Sequence, residues 1–277
     1  MTDLVSEHHN PSESTHLSEP WNVPRPQASM PASISPPSRW SHRSSNLVGR
    51  VVALILFIAV LPVIVLAVVL VRLTSRGPVF YRQVRMGLRG KAFHIYKIRT
   101  MIADAEARTG PVWASENDPR VTPVGRLLRK LNWDELPQLI NIVKGDMAFV
   151  GPRPERPEIA QRIIADIPEY AHRTFVKPGV TGLAQINLPA DSDFESVRKK
   201  LHLDLEYIQQ AGLSLDSRII FSTIPRLVGF RTSRVTRFFR VYRRPRLPIW
   251  ESHEANSSAR RRRAHRTKRK GRAVLPR

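Results

Sequence analysis

The sequence predicts a helix-dominated α/β fold, of the α+β kind, held at a membrane. Three observations predict it. An uncharged apolar run of 21 residues, VVALILFIAVLPVIVLAVVLV, extends from Val51 to Val71. Behind it, short alternating segments read as strands and longer striped segments as helices. The two ends lack any apolar period that would let them pack. This divides the chain into a tail over 1–46, a membrane helix over 47–72, one compact domain over 73–230 and a basic tail over 231–277.

The tail over 1–46 holds 11 Ser and 7 Pro. It cannot bury enough surface to offset chain entropy, so disorder is expected. A secretory signal is not expected, because the apolar run starts late and no cleavage site follows it. As one helix that run would reach roughly 32 Å, enough for a hydrocarbon core of about 30 Å. Pro62 lies near its middle. The helix either crosses with a kink or breaks there and returns to the same face; by its residues alone the run favours crossing.

Further along, Val79–Tyr81 and Phe93–Thr100 read as strands, with turns at Met86-Gly87 and Arg89-Gly90. Met101–Arg108 reads as a short helix, and Asp118-Pro119-Arg120 as a turn. Helices are expected over Val124–Lys130, Pro137–Val143, Pro157–Ile167 and Ser192–Ala211, the last with Leu201, Leu205 and Ile208 on one face. Lys177–Asn187 reads as a glycine-punctuated loop and strand. Arg218–Val228 is apolar enough for a membrane interface.

Composition narrows the chemistry. The 277 residues carry a net charge of +22 and no cysteine. Disulfides, thiolate zinc sites and cysteine nucleophiles are excluded. From Arg226 onward there are 18 Lys/Arg against Glu251 and Glu254. Most of the excess charge is therefore in the tail, and it says little about the core.

Four stretches carry a resemblance: LTSRGPVFYRQVRMGLRGKAFHIYKIRTM, DPRVTPVGRLLRKLNWDELPQLINIVKGDMAFVGPRPE, KPGVTGLAQIN and LDLEYIQQAGLSLD. In this order they resemble the bacterial sugar transferases, also called polyprenyl-phosphate sugar phosphotransferases or monotopic phosphoglycosyl transferases, in their short form. The resemblance implies transfer of a sugar 1-phosphate from a nucleoside-diphosphate sugar to polyprenyl phosphate, with UMP as the usual by-product. This would be an early membrane step of exopolysaccharide or other glycoconjugate synthesis, feeding downstream glycosyltransferases. It also implies Mg2+, the cytoplasmic face of the inner membrane, and the re-entrant form of the helix with its break at Pro62. The family commonly has serine where Leu61 stands, and Ser-Leu where Asn132-Trp133 stand.

The resemblance puts the nucleophile at Asp134 and a metal ligand at Glu135. A carboxylate can attack phosphorus and form an acyl phosphate. Magnesium is commonly held by one or two carboxylates with substrate phosphates. Alone, the pair would read as acids at a helix start, since Pro137 suits a first turn. Arg129 belongs to the site by resemblance. Lys97 and Arg99 alternate onto one strand face and are expected at the diphosphate. Lys177 is a candidate phosphate contact. Arg153 and Glu155, in a loop stiffened by Pro152 and Pro154, are expected to shape the nucleotide end or to serve as loop structure.

The basic tail, including ARRRRAHRTKRKGR from Ala259, suits anionic lipid headgroups better than nucleic acid once a membrane segment is present. The rival reading is a membrane-anchored binding protein without catalysis.

Overall fold

The computed structural model describes residues 39–105, 118–189, 194–227 and 232–243, with side chains described from Leu47 onward except at 226–227 and 232–233. The first element, α1, is a helix over Arg39–Thr74. It therefore begins inside the segment expected to be disordered; residues 1–38 lie outside the described residues. Pro62 falls within α1, which continues through it. Pro62 is on the exposed side, while Val60 and Ile64 hold the helix on the domain to either side.

The buried face of α1 reads Ala53, Phe57, Val60, Ile64, Ala67 and Val71. Their spacing of three and four keeps them on one stripe. From Ala53 to Val71 the stripe covers about 27 Å of helix. Its first part packs on Phe93, Ile95, Ile142 and Met147, its second on Ile98, Leu128, Trp133 and Leu136. The opposite face exposes Val51, Ile55, Ile58, Val65 and Leu73, among others. This is the one helix among the described residues long and apolar enough to cross a membrane.

An antiparallel hairpin follows, β1 over Phe80–Met86 and β2 over Ala92–Ile98, in register from Phe80 opposite Ile98 to Met86 opposite Ala92. After β2 the chain makes a bridge at Met101 and a turn over 103–105, not the helix expected over Met101–Arg108. Met101 bridges Val121, and Ile102 N–H donates to Arg120 O at 2.9 Å, so backbone pairing replaces the helix at its start. Residues 106–108 are outside the described residues. Then come α2 (Pro123–Leu131), a 3-10 turn over Trp133–Glu135, and α3 (Gln138–Lys144). Strand β3 (Ala148–Val150) pairs in parallel with β4 (Gly179–Thr181). Between them lie α4 (Pro157–Asp166) and a 3-10 stretch over Pro168–Phe175.

The chain closes with α5 (Leu183–Asn187), α6 (Phe194–Gln210), α7 (Leu213–Leu227) and α8 (Thr232–Phe238). The largest core joins α4, α6 and α7 through Ile163, Leu201, Ile208 and Ile219. Helix α8 corrects the boundary at 230: Val235, Thr236 and Val241 are buried, so the packed unit reaches Arg243. Three apolar or small side chains, Val235, Thr236 and Val241, suffice to dock a short basic helix whose arginines stay outward. The ARRRRAHRTKRKGR stretch lies outside the described residues.

Candidate active site

The site is built where α1, β2, α2 and α3 meet. Helix α2 starts cleanly: Thr122 Oγ1 accepts from Gly125 N–H at 2.9 Å and Pro123 occupies the first turn. It ends on Asn132, in the left-handed region at φ 54°. That residue type tolerates such a backbone. The turn throws Trp133 onto α1, beside Leu128 and Leu136, and sets Asp134 and Glu135 on the following 3-10 turn. Asn141 locks α3 to the hairpin. It is wholly buried, accepts from Tyr96 N–H at 3.2 Å and donates to His94 O at 2.7 Å.

Glu135 is the hub. Its Oε1 accepts from Lys97 Nζ at 2.6 Å and from Arg153 Nη2 at 2.8 Å. Burial opposes its ionisation, but the charges of Arg153 and Lys97 outweigh that and hold the carboxyl well below the usual range. Burial lowers Lys97 despite Glu135. Arg153 is raised by Glu135, although half its side chain is exposed and water screens part of the effect.

Asp134 is buried, with 8 % of its surface exposed. Burial raises its pKa; Lys97, Arg129 and Arg153 pull the other way, and Glu135 adds to the rise. A desolvated carboxylate beside three cations, next to a second carboxylate, is equipped to meet a phosphoryl group.

A family model described as bacterial sugar transferase matches residues 40–229. The chain belongs to the bacterial sugar transferase family. It is 39 % identical over 197 residues to a UDP-N-acetylgalactosamine-undecaprenyl-phosphate N-acetylgalactosaminephosphotransferase of Aeromonas hydrophila, covering 71 % of this chain and 46 % of that one. It is 36 % identical over 203 residues to an undecaprenyl-phosphate glucose phosphotransferase of Komagataeibacter xylinus, covering 72 % and 38 %. It is 42 % identical over 171 residues to a UDP-glucose:undecaprenyl-phosphate glucose-1-phosphate transferase of Caulobacter vibrioides, covering 60 % and 63 %. The chain thus spans less than half the length of the first two of these family members.

Of the residues expected at the site, the structure brings together Asp134, Glu135, Lys97 and Arg153, with Arg129 alongside. Arg129 Nε donates to Thr100 Oγ1 at 2.8 Å, which anchors it close enough to Asp134 for its charge to be felt. Arg99 is elsewhere. Strand β2 ends at Ile98, and the Arg99 guanidinium donates to the backbone carbonyls of Arg76 at 2.7 Å and Ser75 at 3.1 Å, tying down the chain where it leaves α1. Glu155 faces Arg85 at 3.4 Å and caps Arg156 N–H. Lys177 is at the other end of α3, near Arg50 and Asp146.

Sequence reasoning missed a support behind Arg153. Arg173 Nη2 donates to Arg153 O at 3.0 Å, and Arg173 Nε donates to Asp204 Oδ2 at 2.6 Å. Asp204 is 1 % exposed and Arg173 lies over the Tyr170 ring. The loop is also seated by backbone contact: a Cβ on Gly179 would lie 2.1 Å from Gly151 N, so only glycine allows the two strands' ends to approach. The signal for Asp204 was an acid on the same helical face as Leu201, Leu205 and Ile208.

Among the described residues no three His, Cys, Asp or Glu side chains gather as a metal cluster. Magnesium does not require three, since substrate phosphates and water complete its shell. Both cations bond Glu135 through Oε1, so Oε2 takes part in neither bond. Adjacent Asp134 and that second oxygen are the hard oxygen donors such an ion prefers. The residues fit a magnesium ion shared with substrate.

Proposed function

We propose that this chain transfers a sugar 1-phosphate from a nucleoside-diphosphate sugar, with uridine as base, to undecaprenyl or another polyprenyl phosphate. The observation that carries the reading is the buried Asp134 carboxylate set against Lys97, Arg129 and Arg153 with Glu135 beside it. In the first step Asp134 Oδ attacks the sugar-proximal phosphorus. The bond from that phosphorus to the bridging oxygen breaks, and nucleoside monophosphate leaves with the electron pair. In the second step a phosphate oxygen of the lipid acceptor attacks the same phosphorus, and the Asp134 carboxylate is released. Lys97 and Arg153 orient Glu135 and face the charge that develops on the transferred group. Glu135 and Asp134 would hold Mg2+, which would neutralise the phosphate oxygens and leave the steps above to the side chains.

The reading requires a membrane, because the acceptor does not leave lipid. Helix α1 supports one-sided attachment at the cytoplasmic face. It lies on the domain along about 27 Å, so a perpendicular crossing would carry Lys97 and Glu135 into hydrocarbon at high cost. Its outward face of Val51, Ile55, Ile58 and Val65 would sit in lipid instead. The test is turnover in membranes with a panel of nucleotide sugars. Wild type is expected to release a stoichiometric burst of UMP without polyprenyl phosphate and to sustain release only when that acceptor is supplied, and Asp134→Asn to release none. Near-normal turnover by Asp134→Asn would refute the nucleophile.

A further inference from the structure

A second cavity, of about 360 Å³, lies away from the reacting carboxylates, at the far end of α3. That is about 10 Å along the helix from the turn that holds Asp134 and Glu135. Its volume is in the range of small-ligand pockets. Its walls come from the N-terminal half of α1 (Val48, Val52), from Phe149 in β3, and from α7 (Leu213, Ile220). Lys177 is at its edge, half-buried. Arg50 is the neighbouring cation, exposed, with Nη2 donating to Lys144 O at 2.9 Å. Among the described residues, Asp146 is the acid whose charge raises Lys177. On the floor, Tyr207 O–H donates to Asp216 Oδ1 at 2.9 Å.

Two features say what would fill it. Arg50 directly precedes the uncharged run Val51–Val71, so it bounds the lipid-facing stretch of α1 and its guanidinium can reach headgroups at the interface. The apolar wall is continuous with the exposed, lipid-suited face of α1, where Leu47, Val48 and Val51 are 66 %, 63 % and 52 % exposed. An apolar slot opening at headgroup depth beside Arg50 and Lys177 matches an acyl chain carrying a phosphodiester.

We propose that this cleft between α1 and α7 is a binding site for an anionic glycerophospholipid, with one acyl chain against Val52, Phe149 and Ile220 and its phosphate on Lys177 and Arg50. The proposal rests on the membrane attachment above but not on the transfer chemistry. The lipid fixes the angle between α1 and α7, and so couples the surrounding leaflet to the domain. With Asp146 offsetting one cation, the anionic lipid is favoured over a zwitterionic one by about fivefold.

The test uses the full chain in nanodiscs containing phosphatidylglycerol or phosphatidylcholine with a photoreactive group on the acyl chain. The expected result is labelling of the peptides around Val48–Val52 and Leu213–Ile220, about fivefold stronger with phosphatidylglycerol. Lys177→Gln should remove that preference. Ser217→Trp, on the exposed side of α7 at the cleft, should suppress labelling while leaving the fold intact. Equal labelling by both lipids, or labelling spread evenly along α1, overturns the site. Displacement of the label by equimolar undecaprenyl phosphate would also overturn it, since the cleft would then belong to the acceptor.

Discussion

Replacing Gly125 by alanine separates two physical effects of opposite sign. By helix propensity alone, the change in α2 should stabilise by about 1 kcal/mol. Packing says otherwise. A methyl group there would lie 2.0 Å from Thr100 O and 2.7 Å from the Thr100 C and Cα atoms, all backbone. Non-bonded Cβ atoms essentially never come within 3.0 Å, so α2 must back away from Thr100 by about 1 Å. Overpacking of this kind costs about 1–3 kcal/mol. The same movement stretches the Arg129–Thr100 bond, now 2.8 Å, beyond hydrogen-bond range. A bond to a charged donor contributes about 1.5–3 kcal/mol. The net is destabilisation of about 3 kcal/mol, or roughly 6–12 °C in Tm for a domain of this size. Arg129 is displaced from Asp134 as well, and a 1 Å misplacement costs about 100-fold in rate. The assay is thermal unfolding in detergent together with UMP release. A Gly125→Ala protein with raised Tm and unchanged rate would refute the argument, because propensity would then have won over contact.

Other consequences are as direct. Asp204→Asn leaves the Arg173 charge buried without its counter-ion; we expect a loss of about 3 kcal/mol in stability, and a rate lowered further because the Arg153 carbonyl loses its fixed donor, as unfolding and turnover at a permissive temperature would reveal. Asp216 has its carboxyl pushed up to about 6, mainly by burial and despite the Tyr207 bond. The native state therefore binds that proton more tightly than the unfolded chain, and stability falls as pH rises from about 4 to 6. Asp216→Asn should be the more stable protein above pH 6, by about 1–2 kcal/mol after allowing for its partial exposure, with no gain near pH 4; equal Tm values at pH 7.5 would contradict this. Glu135→Gln removes the shared partner of Lys97 and Arg153, and turnover should drop by about 100-fold or more with little change in far-UV circular dichroism.

The sequence made much of this architecture legible, and the reasons are local. The apolar stripe of Leu201, Leu205 and Ile208 announces α6, and the expected helices over Val124–Lys130 and Pro157–Ile167 correspond to α2 and α4. Asp134, Glu135 and Arg129 are assigned through the family resemblance, since alone the acid pair would read as the start of a helix, whereas Lys97 is a candidate by strand alternation and Arg153 by its proline-stiffened loop. What failed depended on where elements end or meet. Arg99 alternates with Lys97 only while the strand lasts, and β2 stops one residue before it. Lys177 reads as a phosphate contact until tertiary packing puts it at the far end of α3. Thr100 and Asp204 act through partners 29 and 31 residues away, at Arg129 and Arg173, which no local pattern specifies.

The central claim is that Asp134 becomes covalently phosphorylated by the donor. Intact-mass measurement of the full chain with magnesium and each UDP-sugar, in membranes depleted of polyprenyl phosphate, tests it most directly. We predict an added sugar-phosphate mass on wild type that maps to Asp134, is absent from Asp134→Asn and is discharged when polyprenyl phosphate is supplied. UMP release and lipid product without any such adduct, or with Asp134→Asn still active, would contradict the account.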